Sequence, residues 1–419
     1  AGRTDAIAPL RAAAARAYAE AGLPTRRVER WKFTDLKGLR KLGFEPAAPA
    51  TLDALPESVA QVEGVRLTLV NGRVAPALSD LDALPKGVRV RSIAEALADG
   101  DGDLRERLTA DAGFTDAPLA ALNTAMLEDG WLIDIEEGTR VEETLHLVFV
   151  ASNEDEGSAR ASYPRLALSL GAKAEATVVE SHVGAGEGPT FSDVVSEIAL
   201  GPGARLAHPV LQNEAAGGYH LASTSLRVAA GGCYDGFVLQ LGAALARREV
   251  RGSLDGPKAQ IHVNGAYLGD GDRVVDNTLY IDHAAPETVS RETFKGVLDD
   301  RSRGVFQAKT RVQPVAQQAD GKQLHKALLL ADGAEVDAKP ELEIYADDVA
   351  CAHGATAGDL DQDQLFYLRA RGIPEKVARA MLIEAFMIDS LGAIEDEGVR
   401  EAFQAALAAR LNAMEGIVG

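Results

Sequence analysis

Six stretches of the chain repeat one phrase: LSLGAKAEATVV (168–179), IALGPGARLAHPV (198–210), RVAAGGCYDGFVL (227–239), GSLDGPKAQIHVN (252–264), GVLDDRSRGVFQA (296–308) and LLLADGAEVDAKP (328–340). Each reads as an apolar strand, a turn rich in Gly or Asp, a small residue and the next strand. The turns begin near Gly171, Gly201, Gly231, Asp255, Asp299 and Asp332, in steps of 30, 30, 24, 44 and 33 residues. A unit of this size cannot bury its own apolar face and is closed by its neighbours, as in a solenoid. A β-sandwich is the competing architecture, but its turns come every roughly 8–12 residues without such a shared phrase. The pattern therefore predicts a mainly β protein built on a β-solenoid.

Outward from the repeats the texture changes twice. Before residue 131 the chain is mixed. Ile7, Leu10, Ala14, Ala17 and Tyr18 fall at helical spacing behind a cap at Thr4 or Asp5 and stop at Gly22 and Pro24. Residues 45–60 are rich in Ala and Pro, 65–70 read as a strand, and 119–127 read as a helix before Gly130. After Gly358 the chain turns helical: 361–371 stops at Gly372, Pro374 opens a second helix at its first turn, and 395–414 forms a third. The expected organisation is an N-terminal helical and mixed domain (1–130), a β-solenoid core (131–357) and a C-terminal helical domain (358–419).

The second helix of the tail, VARAMLIEAFMI (377–388), is apolar around nearly its whole circumference and so must be covered on several sides. Two readings stand: it caps the end of the solenoid, or part of it docks another protein. Met381, Met387 and Met414, three of the four methionines, lie in this tail and suit an adaptable contact surface.

Composition narrows the classes of function. Lys plus Arg number 43 against 63 Asp plus Glu, a balance of −20 over 419 residues, so nucleic acid phosphates and anionic membranes are repelled. Neither is an expected partner. The first 30 residues lack an apolar core, and no stretch approaches the ~20 apolar residues that span a bilayer, which predicts a soluble cytoplasmic protein. No GxxxxGK[ST] loop, Gly-x-Ser-x-Gly elbow, His-Glu-x-x-His or CxxC occurs. The chain is not expected to hydrolyse a nucleotide by itself.

Two cysteines, Cys233 and Cys351, cannot form a four-thiolate zinc or iron–sulfur site without borrowed ligands. Cys233, in a Gly-Gly-Cys-Tyr turn, reads as a small packing residue. His146, His182, His208, His220, His262, His283 and His325 are scattered and read as surface or satisfied residues. In the stretch DDVACAHGAT (347–356), Cys351 and His353 are two apart and point to one side of a strand. Thiol and imidazole side by side make half of a soft-metal site, or a thiolate promoted by a neighbouring imidazolium.

The run from Ala331 to Ile373, ADGAEVDAKPELEIYADDVACAHGATAGDLDQDQLFYLRARGI, resembles the C-terminal signature of the SufB/SufD family of iron–sulfur cluster assembly proteins. Glu29-Arg-Trp-Lys-Phe-Thr-Asp-Leu is similar to a stretch near the N-terminus of the SufD side of that family. SufB-like chains carry Glu at the position of Gly354 and a cysteine near Leu324 or His325. This chain has neither, and so resembles the SufD side.

The resemblance implies a right-handed parallel β-helix flanked by helical domains. It also implies a heterodimer with a SufB-like paralogue across the last coils and a SufC-like ABC ATPase on the C-terminal helices, where Met381, Leu382, Ala385 and Phe386 are the candidate contacts. His353, with Cys351 beside it, is implied as a ligand of iron or of a nascent cluster at the shared interface. On this reading the chain is a non-catalytic scaffold. It shares a transient iron or iron–sulfur cluster with its partner and binds none stably alone. ATP binding by the SufC-like subunit strains the heterodimer and opens its interface, and the isolated chain pairs with itself. Two other readings remain: a flavin-linked ferric reductase and a purely structural brace.

Overall fold

A computed structural model describes residues 7–414 except 102, 109–116 and 156, so the expected cap at Thr4 or Asp5 lies outside the described residues. From Trp131 onward the chain winds into a parallel β-solenoid of about seven turns with two walls. Wall 1 runs through Trp131–Ile135, Arg165–Leu170, Thr190–Leu200, Tyr219–Val228, Leu245–Leu254, Val274–His283, Arg303–Val312 and Glu335–Ile344. Wall 2 runs through Leu145–Ser152, Glu175–Ala185, Arg205–Asn213, Cys233–Gln240, Gln260–Gly269, Val289–Leu298, Ala319–Leu329 and Val349–Gly358. Successive coils pair in register, Arg205 opposite Cys233, Cys233 opposite Gln260 and Gln260 opposite Val289.

The period of two along each strand sorts the side chains. In Gln260–Gly269, Ile261 and Val263 enter the core while His262 and Asn264 face outward and are only partly covered. Inward residues of both walls, among them Leu206, Val238, Ile261, Phe294 and Phe306, form one continuous apolar core.

One corner of the solenoid has its own ladder. Lys173, Gly203, Gly231, Lys258, Glu287 and Gln318 all have φ between 58° and 69°, the left-handed conformation. Each donates its backbone N–H to a carbonyl of the next turn: Pro202, Ala230, Pro257, Pro286, Gln317 and Asp348 respectively, at 2.6–3.2 Å. Glycine suits two of these positions, and the coil-to-coil bond holds the other four in a conformation that side chains disfavour. The turns at Gly171, Gly201, Gly231 and Asp255 lie at this corner, whereas those at Asp299 and Asp332 lie at the opposite one. The 44-residue step therefore spans more than one coil and passes over the corner at 284–288.

The two ends of the solenoid differ. At the start, wall 1 is closed by the antiparallel strand Val88–Ser92 against Trp131–Ile135. Wall 2 begins with Val65–Val70, which pairs in parallel with Leu145–Ser152 and carries the antiparallel Arg73–Val74 on its other side. The strand expected at 65–70 thus joins the solenoid from within the mixed region. At the far end, Glu335–Ile344 and Val349–Gly358 are the last strands of their walls, and neither has a pairing strand beyond it among the described residues.

Helices cover the outer faces. Trp31, Leu36, Leu39, Leu119 and Leu122 pack on Phe191, Leu221 and Leu245 outside wall 1. The tail helices Glu375–Leu391 and Glu397–Ala413 pack on Val179, Leu211, Leu239, Leu268 and Val297 outside wall 2. The tail therefore lies along the side of the solenoid and not over its end, because the apolar outward residues that need cover run along wall 2. No helix of the described residues is long and apolar enough to cross a membrane.

Close packing yields a direct test. A Cβ added at Gly296 would lie 2.2 Å from Cζ of the fully buried Tyr267 ring. Gly296→Ala is expected to destabilise the fold by about 1–3 kcal/mol or more, read as a lower urea midpoint with an unchanged slope. An unchanged midpoint would show that the core relaxes freely at this site.

Candidate functional site

Cys351 and His353 lie on the last strand, Val349–Gly358, opposite Gly321 and Gln323 of the preceding coil. Both belong to the set of residues that faces the interior. Since no further coil follows among the described residues, that interior is open at this point. Cys351 is half-buried and packs beside Val312, Ala316, Ala319, Ala346 and Val349. Burial raises its pKa, a backbone hydrogen bond from Gly321 opposes the rise, and the charges of Asp320 and Glu292 add to it. His353 is exposed, the only one of the eight histidines that is.

The layer beneath is polar. Gln323 lies opposite Glu292 one coil further in, and Gly321 lies opposite Ser290. Thr310 donates to Glu292 at 3.4 Å and Gln323 donates to Thr310 at 2.8 Å. Ser290 Oγ, Glu292 Oε1 and Gln323 Oε1 are buried without a hydrogen bond of ordinary geometry. Buried polar atoms are nearly always satisfied, so three together directly below Cys351 and His353 make this layer polar and incompletely bonded, as are scattered atoms such as Asn277 Oδ1 and Trp131 Nε1 elsewhere. Burial raises the Glu292 carboxyl to about 7, and Ser290, Gln323, Thr310 and Arg291 offset this only in part. Gly321 keeps the layer compact: a Cβ there would meet Thr310 Cγ2 at 3.3 Å, and both Cys351 Sγ and Ser290 Oγ at 3.5 Å.

The other histidines are structural, as expected, except that His262 is partly exposed in a polar cluster. His146 contacts Ser181 at 2.9 Å, His283 contacts Thr288 at 2.8 Å, and His325 contacts Tyr267 at 2.8 Å and stacks on Phe306. Burial lowers the pKa of all three to about 4, which keeps them neutral. Deeper in the core, Glu180 bonds both His182 (2.7 Å) and His208 (2.9 Å). Burial alone would push its carboxyl up, but the two imidazoles hold it well below the usual range. His220 likewise pairs with Glu214 at 2.8 Å. Glu180 and His182 are two apart on one strand, but His208 and the Glu214–His220 pair come from other coils, so their grouping left no local signal. Of the two candidate positions for the cysteine that the resemblance implies in SufB-like chains, Leu324 is half-covered on the outer side and His325 is in the core.

The candidate contacts on Glu375–Leu391 separate into two sets. Met381 is 44% exposed and Ala385 is exposed, in line with the exposed Val377 and Ile388 on one helix face. Leu382 and Phe386 are partly buried against wall 2, where Lys295 Nζ sits 4.8 Å above the Phe386 ring and donates to the Asp389 carboxylate and the Phe386 carbonyl. Met387 and Met414 are in the core, so one methionine of the three faces outward. The neighbouring helix Gln362–Ala370 adds Phe366, 73% exposed, and Tyr367, which were missed because the spacing in that run reports a helix and not which of its sides is covered.

Glu292 makes the polar layer testable. Its folded pKa is raised, so the stability it allows is fully present below about 4.5 and is lost as pH rises through about 7. Glu292→Gln is therefore expected to raise the melting temperature more at pH 8 than at pH 5, by a difference of about 3 kcal/mol in stability. An equal effect at both pH values would mean that Glu292 is ionised in the folded state at pH 5.

Residues 149–386 match the family described as SUF system FeS cluster assembly, SufBD core domain, and residues 1–147 match the SufBD protein N-terminal region. The chain is 32% identical to the iron–sulfur cluster assembly protein SufD of Escherichia coli over 394 residues, covering 93% of this chain and 90% of that one. It is 30% identical to an iron–sulfur cluster assembly SufBD family protein of Synechocystis over 381 residues, covering 87% and 82%. These matches along both halves show that the chain belongs to the SufB/SufD family of iron–sulfur cluster assembly proteins.

Proposed function

We propose that this protein is a non-catalytic scaffold subunit of a SufBCD-type complex in the cytoplasm. A SufB-like paralogue docks against the open coil at 335–358, and a SufC-like ABC ATPase supplies the ATP hydrolysis. The observation that carries this reading is the open end of the solenoid, where two unpaired strand edges flank the half-buried Cys351 and the exposed His353. Unpaired edges invite a second chain to continue the ladder, and the antiparallel strands at the other end do not offer the same parallel edge.

Iron or a nascent iron–sulfur cluster is the cargo. A thiolate and a neutral imidazole are donors of the right softness, but two donors cannot complete a four-coordinate centre. The partner supplies the remainder, so the isolated chain holds no cluster stably and pairs with itself through the same edges. The outward face of Glu375–Leu391, with Val377, Met381 and Ala385, together with Phe366, is the surface for the ATPase. A second reading, the structural brace, is favoured by the packing of Cys351 among Val349, Ala319 and Ala346.

Co-expression with SufB-like and SufC-like partners separates the two readings. With His353→Ala, iron and acid-labile sulfide per assembled complex are expected to fall severalfold while the subunit ratio stays the same. Unchanged cluster content would leave His353 a structural residue and the protein a brace. Met381→Glu is expected to reduce co-purification of the ATPase at least tenfold without lowering the melting temperature, because the side chain is exposed. Retained ATPase would remove this helix face from the interface.

A further inference from the structure

A second group of metal-ligating side chains lies on the outer face of wall 2, on a different thiol from the one at the open end. Cys233 and Asp235 are two apart on Cys233–Gln240, and the intervening Tyr234 enters the core, so both project outward. Asp235 lies directly opposite His262 on the adjacent strand Gln260–Gly269, whose neighbours Ile261 and Val263 point inward. Two parallel strands therefore present a sulfur, a carboxylate and an imidazole at one place.

The contacts are close. His262 Nδ1 is 2.5 Å from Asp235 Oδ1, and Cys233 Sγ is 3.3 Å from Asp235 Oδ2. One donor atom from each of the three lies within 4.8 Å of the other two. The carboxylate sits between thiol and imidazole, and the side chains of Asp235 and His262 are 40% and 25% exposed. Cys233 is buried beneath them. A cysteine that served only as a small packing residue would have apolar neighbours, but this one donates to a carboxylate.

We infer that Cys233, Asp235 and His262 form a binding site for a single divalent cation of borderline softness, of the class of Zn2+, Fe2+ and Co2+. A sulfur, nitrogen and oxygen donor set excludes Mg2+ and Ca2+, which take oxygen ligands. Three protein ligands with solvent access leave a fourth position for water, the arrangement of an open site and not of a closed structural one. Thiolate and carboxylate together neutralise the dication. The other charges near the cluster are Arg205, opposite Cys233 in the register, and Glu395 from the tail. Arg291, opposite His262, is held by Asp320 at 2.6 Å. Binding replaces the thiol proton, which leaves to solvent as the sulfur–metal bond forms, with no change of oxidation state.

The test is anaerobic titration of the reduced full chain with Co2+, followed by absorption. Wild type is expected to bind one Co2+ per chain with a thiolate-to-cobalt charge-transfer band in the near ultraviolet. Cys351→Ser is expected to keep the band and Cys233→Ser to lose it. His262→Ala and Asp235→Asn, both at partly exposed positions that leave the core intact, are expected to weaken binding at least tenfold, so the proposal stays testable if the buried Cys233 variant folds poorly. A band that survives in Cys233→Ser, disappears in Cys351→Ser, or is absent from wild type overturns the assignment.

Discussion

Coil-to-coil hydrogen bonding is the constraint on which the rest of this structure depends. Each strand satisfies its backbone only through the coil before and the coil after, and at one corner a residue in the left-handed conformation adds a bond of the same kind at every turn. Such a stack has no natural stopping point, because the last coil always leaves a row of unpaired groups. This chain resolves the problem at one end with antiparallel strands and leaves it open at the other. That open end is the feature on which the proposed role as a subunit of a complex rests.

The interior follows the same logic. In the middle of the solenoid Glu180 holds two imidazoles and Glu214 holds one, although Asn277 Oδ1 and both oxygens of the buried Asp193 lack a well-formed bond there too. Toward the open end Ser290, Glu292 and Gln323 each leave an atom without a well-formed bond, and burial raises the Glu292 carboxyl. Unsatisfied polar groups cost stability when they are buried, and these lie directly under Cys351 and His353, the pair on which the proposed role rests. The outer faces complete the picture. Both walls need cover for their outward apolar residues, and helices from the two ends of the chain supply it, leaving Phe366, Val377 and Met381 uncovered.

Much of this was legible in local pattern. The repeated turn phrase announced the solenoid, the i, i+2 spacing placed Cys351 and His353 on one side of a strand, and Gly358, Gly372 and Pro374 punctuated the tail. What escaped depends on distance in sequence. Asp299 and Asp332 resemble the earlier turns but lie at the opposite corner, since a turn residue reports a bend and not which bend. Met387 and Met381 have the same local surroundings, yet one is in the core and the other in solvent, because wall 2 covers only one side of their helix.

By itself, then, the sequence determined the things that short-range sterics and periodicity control: strands, corners, helix limits, and which side chains share a face. The tertiary structure alone decided which strand lies beside which, and so that His262 meets Asp235 and Cys233, that Gln323 and Glu292 lie beneath His353, and that one end of the stack is closed while the other is open. The physical reason is register. Side-chain direction follows from the chain's own period of two, but neighbours across a sheet are set by how many residues each coil takes to return, a sum over two strands and two corners that no single stretch contains.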